Sequence, residues 1–506
     1  MKYVIGIDLG TSSIKTLLLD ATGRTIASAM QEYPMAQPHN GWAEQDPADW
    51  WKATIATLRE VTSAMPHKND IVGLGISGQM HGLVMLDKDG EVLRPSIIWC
   101  DQRTQAECED ITRAVGAERL IEITANPALP GFTASKILWV KKHEPHLYER
   151  CRHILLPKDY LRYKLTGQFA TEVSDASGMQ LLDIRERRWS DEVLQKLDID
   201  HALLAQVYES PDVTGVISRQ ASELTGLSEN TVVVGGAGDN AAAAVGTGVV
   251  HDGVAFTTIG SSGVVYAHTS QVSVDPKGRV HTFCCAVPNA WHVMGVTQGA
   301  GLSLRWFRNQ FCHEEVLAAN QEGISAYQLM DQAAAHIRIG ADRLVFLPYL
   351  MGERTPYLDS DCRGVFFGLS AMHTRAHLIR AVMEGVTFSL NDCLSVLKEL
   401  RIAPETMLAT GGGCNSPLWR QMMADVYDCP VATVSSKEGA ALGAGILAAV
   451  GAGLYPSVEE ACDVIVEKEP ALIPNKTHSE QYRKAYGIYR ALYPALKDHF
   501  IGLQVI

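Results

Sequence analysis

No stretch of this 506-residue chain stays apolar for the ~20 residues that a membrane-crossing helix needs. The nearest approach, "GAALGAGILAAVGAG" from Gly439 to Gly453, is short and rich in Ala and Gly, which predicts a closely packed helix of a globular fold. The opening apolar run is broken by Asp8 soon after Lys2, so no export leader is read. The eleven cysteines contain no CxxC pair, and the adjacent Cys284-Cys285 is not a metal-ligand spacing. That excludes a cysteine metal cluster and a disulfide framework and implies reduced thiols in a cytoplasmic protein. Basic charge is in deficit: the formal net charge of −13 argues against nucleic acid or an anionic membrane as the main partner. A small anionic ligand stays compatible with that sign, because a local site can hold it. Pro/Gly/Ser-rich linkers are missing as well, so any domain boundary is soft, near Gly246.

What is there describes a folded protein of two large domains, with 46% hydrophobic and 20% charged residues. "YVIGIDLG", "IKTLLLD" and "TIASAMQEY" are apolar runs separated by turn residues, a β-meander. "DPADWWKATIATLREV" follows as a helix, with Asp46 as N-cap and Pro47 at the first helical position. "DIVGLGISGQMHGLVMLDKDG" returns to strand, helices dominate from about Gln105 to Thr166, and strands resume around "QLLDI". Alternation of this kind means an α/β architecture. A second beginning appears past the middle. "TVVVGGAGDNAAAAVGTG" reads as strand, glycine turn and small-residue helix, and "GVAFTTIGSSGVVYAHT" repeats the opening plan of strand, Gly/Ser tip and strand. Two such hairpins look like paired phosphate clamps in related halves, although glycine-tipped hairpins also arise for turn geometry alone.

The residues that can do chemistry stand at strand ends. Asp8 closes an apolar strand and is followed by Leu9-Gly10-Thr11-Ser12-Ser13, small residues with free backbone N–H groups. A carboxylate there needs a polar or charged partner, and the tip suits an anion, which together suggest phosphate plus metal. Asp239 lies where "VVVGGAGD" hands over to "NAAAA"; it fits a helix cap, and beside Gly235-Gly236-Ala237-Gly238 it also fits a general base for a substrate hydroxyl. "LATGGGCNSPLWRQMMADV" places three glycines, Asn415 and Ser416 before a Pro-initiated helix, a nucleotide-sized gap that is neither a Walker A loop nor GxGxxG. "GISGQMHGLVML" sets Gln79, Met80 and His81 in a glycine-bracketed turn, balanced between a structural histidine and a hydroxyl-binding site. Asp101 and Arg103 in "IIWCDQRT" fit a surface ion pair.

Two long stretches carry a family resemblance. "GFTASKILWVKKH" (Gly131 to His143), with Thr133, Lys136 and Trp139, and "GVFFGLSAMHTRAHLIRAVME" (Gly364 to Glu384), with Gly368, His377, Ala381 and Glu384, resemble the two signatures of the FGGY family of carbohydrate kinases. That family falls within the actin-like, sugar-kinase and heat-shock-ATPase superfamily, and the likeness runs from the Asp8 hairpin to the "GAALGAG" helix. The resemblance implies two actin-like (ribonuclease H-like) α/β ATPase domains with an intervening cleft, 1–245 binding sugar and 246–506 binding ATP. It implies Asp239 as catalytic base and Asp8 as the carboxylate that holds Mg2+ through water. Met80, His81, Asp239 and Asn240 match the sugar site. Gly10, Thr11 and Ser12 match one phosphate hairpin, Gly260, Ser261 and Ser262 the other, and Gly411, Gly412 and Asn415 the adenine–ribose pocket. Lys136 and Trp139 are assigned to architecture.

Within the family, "PHNGWAEQDPADWW", "GQMHG", "LLPKDYLRYKLTG", "SDASG" and "FLPYLMGERTP" resemble members that act on D-xylulose. Glycerol kinases usually carry Gln-Arg-Glu-Thr where this chain has Gln79-Met80-His81-Gly82, which discounts glycerol. Ribulose, fuculose, gluconate or a ketohexose is the alternative substrate, and a non-catalytic actin-like ATP-binding protein the remote one. The partners implied are a small sugar and ATP, with neither nucleic acid nor membrane, and a homodimer stays open as the assembly.

Overall fold

The computed structural model describes residues 2–436 and 438–504. β1 (Tyr3–Leu9), β2 (Ser13–Asp20) and β3 (Thr25–Glu32) form the antiparallel meander that the turn residues predict. Helix α1 (Pro47–Ser63) begins as read: the Asp46 carboxylate accepts the Ala48 N–H at 2.9 Å, with Pro47 at the first helical position. Its Trp50, Ala53, Leu58 and Val61 pack under Ile5, Ile7 and Leu9. β4 (Ile71–Gly78) adds parallel to β1. After α2 (Thr133–His143) come β5 (Val213–Val216), β6 (Val232–Val234) and α3 (Asp239–Gly246). The sheet runs β5-β6-β4-β1-β2-β3, with a short Ala237–Gly238 segment also paired to β4.

The second half repeats the plan. β7 (Val254–Ile259) and β8 (Gly263–Thr269) make a hairpin, followed by β9 (His281–Cys284), β10 (Trp291–Thr297) and α4 (Gly301–Phe311). Then come α5 (Arg375–Glu399), β11 (Thr406–Thr410), α6 (Pro417–Tyr427), β12 (Val431–Ala432), α7 (Gly439–Gly451) and α8 (Lys476–Leu503). The sheet order is β9-β10-β8-β7-β11-β12. The path β3-β2-β1-β4-β6 matches β10-β8-β7-β11-β12 strand for strand, antiparallel through the meander and parallel beyond it. The duplicated plan read from the two hairpins is therefore present.

The second signature stretch holds a turn of unusual geometry. Gly340, Ala341, Asp342 and Arg343 all have positive φ. The Gly340 N–H donates to Glu384 Oε1 at 3.1 Å, and His377 Nε2 lies 3.2 Å from Asp342 Oδ2. Gly368 comes so close to the same turn that a Cβ there would lie 2.3 Å from the Arg343 carbonyl oxygen.

Helix α7 belongs to the second half of the chain but packs on the first sheet. Its apolar residues Ala441, Leu442, Ile446 and Leu447 join Val4, Leu17 and Leu19 of β1 and β2 and Ala241, Ala242 and Val245 of α3 in one core. The contacts are backbone to backbone, as the Ala/Gly composition predicts. A Cβ on Gly443 would lie 1.9 Å from the Ala242 carbonyl oxygen, one on Gly6 2.0 Å from that of Ala441, and one on Gly75 2.1 Å from that of Ala444. All eleven cysteines are free thiols, and no helix among the described residues is long and apolar enough to cross a membrane. Gly443→Ala is expected to cost at least the ~1–3 kcal/mol of an overpacked core and to lower Tm. Gly487→Ala, which meets nothing within 4 Å on α8, is expected to stabilise by about 1 kcal/mol or less, thermal unfolding by circular dichroism being the check on both.

Candidate active site

β1 delivers Asp8 to the end of the first sheet, opposite Lys15 on β2 and Ser77 on β4. Ser77 Oγ donates to Asp8 Oδ1 at 3.1 Å, and Lys15 is ion-paired to Glu438. Burial holds the Asp8 carboxyl above the usual carboxylate range, against the pull of Ser77 and Lys15. Beyond it, the tip residues turn their carbonyls inward. Tyr33 Oη donates to the Gly10 and Ser13 carbonyls, Gln45 Nε2 donates to the Thr11 carbonyl at 2.6 Å, and the Tyr33 N–H to that of Ser12 at 3.2 Å. Among the described residues, the Thr11 and Ser12 amides donate to no protein acceptor. The tip thus presents N–H groups outward, as an anion site requires.

The second hairpin is built the same way. The Gly260 N–H closes on the Ser262 carbonyl at 3.0 Å, while the first amides of α4, Gly301 and Leu302, donate to the Gly260 and Ser261 carbonyls at 2.8 and 3.1 Å. Seating the tip on a helix N-terminus ties up its carbonyls, and the Ser261 and Ser262 amides have no protein acceptor among the described residues.

Between the hairpins stands Asp239. Gly236 takes φ +75°, and a Cβ there would lie 2.0 Å from the Ile76 carbonyl oxygen, so only glycine lets the chain run this close to β4. Ala237 pairs with Ser77, the residue that also pairs with Asp8, and two residues later α3 begins with Asp239. Gly238, rather than Asp239, occupies the cap position; Asp239 Oδ1 accepts the Asn240 backbone N–H at 2.7 Å and its side-chain Nδ2 at 2.9 Å. Burial first, then the negative charge of Asp8, pushes the Asp239 carboxyl up to about 7. Two half-buried carboxylates, one at a strand end and one at a helix start, therefore feel one another's charge.

The Gln79–His81 turn forms the neighbouring wall. The Gln79 N–H donates to the Leu9 carbonyl at 2.8 Å, and Met80 packs on Gly238, whose Cβ would lie 2.9 Å from Met80 Cγ. His81 has φ +70°, and the first signature stretch is what holds it there: Lys136 Nζ donates to the His81 carbonyl at 2.8 Å and the Gly131 carbonyl at 2.6 Å, and Thr133 Oγ1 donates to the former at 3.2 Å. Burial, then the Lys136 charge, pushes the His81 ring down to about 3, so it is neutral. Its Nδ1 lies 2.8 Å from the Gly178 carbonyl oxygen, which only accepts; Nδ1 therefore carries the proton and Nε2 is left as an acceptor.

Asp101 and Arg103 are not a surface pair. Both side chains are inaccessible, with Arg103 Nε and Nη2 on the two Asp101 oxygens at 2.9 and 2.6 Å. Arg103 Nη1 is 2.7 Å from Glu44 Oε1, and the guanidinium lies 3.6 Å from the Trp42 ring centroid. The pair braces the loop from which Trp99 Nε1 donates to Thr11 Oγ1 at 3.0 Å, so it supports the first hairpin tip.

A cavity of about 710 Å³ is walled by Asp239, Asn240, Thr258, Gly411, Arg420 and Glu469, and one of about 530 Å³ by Gly260, Ser261, Gly301, Arg305, Asp331 and Trp419. Gly412 and Asn415 belong to both. Asp8, Gly10, Thr11, Ser12, Met80, His81 and Ser262 line neither; Met80 reaches the site by packing on Gly238, and the Asp8 charge bears on Asp239. Thr258, Arg420, Glu469, Arg305 and Asp331 were missed in the sequence. Only Gly301 carried a signal, in the Gly299-Ala300-Gly301 run at a helix start. A larger cavity of about 780 Å³ lies apart, between α5, α6 and α8, and contains neither hairpin.

Two sheets of one strand order, each ending in a Gly/Ser hairpin tip, with Asp8 and Asp239 at the strand end and helix start of the first, make this an α/β protein of the actin-like ATPase class. The chain belongs to the FGGY family of carbohydrate kinases: the family's N-terminal domain matches residues 3–246 and its C-terminal domain residues 255–452. Membership brings the use of ATP. The chain is 40% identical to the xylulose kinase of Bacillus subtilis over 499 residues, 98% of each protein, and 30% identical to the gluconokinase of the same organism over 98% of this chain and 97% of that one. The crystal structure of a ligand-bound xylulose kinase from Lactobacillus acidophilus superposes with a TM-score of 0.92 at 27% identity, covering 99% of this chain and 100% of that one.

The raised Asp239 carboxyl means that folding binds its proton more tightly than the unfolded chain does, so wild-type stability falls as pH rises from about 4 to about 7. Asp239→Asn is expected to raise Tm relative to wild type by an amount that grows over that interval and is flat above it, as calorimetry across pH would record. Lys136→Met removes the ammonium donor from two half-buried carbonyls, leaving that of His81 to Thr133 alone, and is expected to cost about 1–3 kcal/mol, read by denaturant unfolding.

Proposed function

We propose that this chain transfers the γ-phosphoryl group of ATP to the 5-hydroxyl of D-xylulose, giving D-xylulose 5-phosphate. The observation that carries the reading is likeness over the full length to xylulose kinases, joined to a Met80-His81 wall beside a carboxylate that titrates near neutrality. Asp239 is the base: its carboxylate takes the hydroxyl proton as that oxygen attacks phosphorus. A base with a pKa near the working pH is half available and still strong enough to help, worth ~10²–10⁴-fold. Asn240 holds one carboxylate oxygen and so aims the other. Met80 and His81 bound the sugar, with His81 Nε2 accepting from a hydroxyl.

The outward amides of Thr11 and Ser12 on one side and of Ser261 and Ser262 on the other receive phosphate oxygens, while the Gly10 and Gly260 N–H groups close the two turns on the Ser13 and Ser262 carbonyls. Gly411, Gly412 and Asn415 take the adenine and ribose at the junction of the two cavities. A Cβ on Gly411 would lie 2.7 Å from the Ile259 carbonyl oxygen, so that turn lies flat against β7 and leaves the space above it to the nucleotide. Much of the acceleration in phosphoryl transfer comes from such positioning and from charge neutralisation.

Mg2+ is the implied metal, and the residues fit it. Among the described residues no three His, Cys, Asp or Glu side chains form a metal cage. Asp8 keeps one oxygen on Ser77 and the other without a hydrogen-bond donor among the described residues, the single carboxylate that would suit Mg2+ beside water and phosphate oxygens. When bound, the ion neutralises phosphate charge.

The test is ADP release with Mg-ATP over pentuloses, ketohexoses, polyols and aldonates. D-Xylulose is expected to give the highest kcat/KM, Asp239→Asn to lose ~10²–10⁴ in kcat, and wild-type kcat/KM to fall about tenfold per pH unit below about 7. Highest kcat/KM on gluconate would replace the substrate, and no stimulation by any sugar would overturn the reading.

A further inference from the structure

Two stretches, "LLPKDYLRYKLTG" and "SDASG", take no part in the chemistry described above, and they meet behind the base. The first supplies Lys158 and Asp159, the second follows two residues after Glu172, and all three side chains are buried. Lys158 Nζ lies 2.7 Å from Asp159 Oδ1, 3.2 Å from Glu172 Oε1 and 3.4 Å from Asp175 Oδ2. The Glu172 carboxylate, held by that cation, gathers the turn that follows it. Its Oε2 accepts the Ser174 N–H at 2.8 Å and Ser210 Oγ at 2.7 Å, and its Oε1 accepts the Asp175 N–H and Ser174 Oγ, each at 2.9 Å. A buried ion cluster adds little stability over apolar packing of the same volume. What it supplies here is direction.

Ser174 gives its hydroxyl proton to Glu172, so its lone pairs are left to accept, and the buried Gly238 N–H donates to them at 3.0 Å. Gly238 is the cap residue of α3, and Asp239 follows it. Four residues along the same turn, the Gly178 carbonyl accepts from His81 Nδ1 at 2.8 Å. A Cβ on Gly178 would lie 2.6 Å from that ring nitrogen and 3.1 Å from Met80 Cε, so only glycine leaves both side chains where they stand. Between the two ends, Ser177 Oγ donates to the Ser174 carbonyl at 2.8 Å and accepts the Cys284 N–H of β9 at 3.3 Å, which pins the turn to the second half of the chain. One short segment thus touches the residue before the base and both residues of the Met80–His81 wall.

We propose that the segment from Glu172 to Gly178 sets the geometry of the sugar site. Ser174 is the positioning residue of the base, acting through the Gly238 amide, and Gly178 is a specificity residue, acting through Met80 and His81. The assignment rests on the phosphorylation reading above. It divides the work: Ser174 governs the aim of Asp239 at the hydroxyl, and Gly178 the shape of the wall that decides which sugar is held.

Steady-state kinetics of Ser174→Ala, Ser174→Thr and Gly178→Ala with D-xylulose and Mg-ATP test it, each assayed well below its own Tm. Ser174→Ala takes the side-chain acceptor from the Gly238 amide, and kcat is expected to fall ~10–100-fold, the effect of a small misplacement of a reacting group, with KM for ATP unchanged. Ser174→Thr keeps the hydroxyl and is expected to recover most of that loss. Gly178→Ala tests the other end independently: KM for D-xylulose is expected to rise ~10–100-fold, as for one carbon too many in a shaped pocket, with kcat at saturating sugar far less affected. Wild-type kcat in Ser174→Ala, or wild-type KM for D-xylulose in Gly178→Ala, overturns the role given to that residue while leaving the kinase reading intact. KM for ATP rising by the same factor as the sugar effect marks general loosening and overturns both roles. A wild type that does not turn over D-xylulose sinks the phosphorylation reading itself.

Discussion

Helix α3 and helix α7 touch backbone to backbone, and that contact sets where Asp239 stands. Asp239 is the first residue of α3; α3 rests on α7 through Gly246 and Gly443; α7 rests on β1 and β4 through Gly6 and Gly75. β1 in turn ends at Asp8. The separation of the two carboxylates is thus fixed by stacked main chains with no side chain between them to flex. Rigid elements hold a side chain in place better than loops do. The small-residue composition of α3 and α7 is the means to that end.

The same geometry produces the electrostatics. Lys15 is the cation nearest Asp8 along the hairpin, yet it is paired with Glu438, and Asn240 offers Asp239 only neutral donors. Burial holds each carboxyl above its ordinary range, and the Asp8 charge, left under-compensated, adds to the rise of Asp239. Neutralising Asp8 removes one of the two causes that raise Asp239. Charge arriving at one carboxylate is in this way communicated to the other without any movement. On the other wall, Lys136, pushed down to about 7 by burial, spends its donors on main-chain carbonyls and fixes a left-handed residue, a role that packing alone would not require.

Much of this was legible in the chain because it is local. Gly-rich turns, the Asp46 cap, the Pro417 helix start and the hairpin tips are consequences of neighbouring residues, and they appear where the sequence places them. What was not legible depends on distant partners. Asp101 and Arg103 look like a solvated pair until Glu44, Trp42 and Trp139 close around them. Arg420 and Glu469 acquire meaning only because β11, β12 and a loop beyond α7 meet at one cavity. Lys136, one turn into an amphipathic helix, carries no mark of the carbonyls it will meet. Side chains whose neighbours are set by sheet order, and not by sequence distance, are the ones a linear reading misses.

The dependence of the first sheet on α7 has a consequence for how the chain is made. β1 ends at Leu9 and the helix that covers its face spans Gly439–Gly451, so β1 leaves the ribosome long before that helix is made. At ~5–20 residues per second the wait is about 20–90 s. Throughout it, Val4, Leu17 and Leu19 lack the α7 side chains that they pack against in the finished core. The nascent chain therefore carries an incompletely covered apolar sheet until α7 is made, which makes it a client for any factor that shields such surfaces during translation.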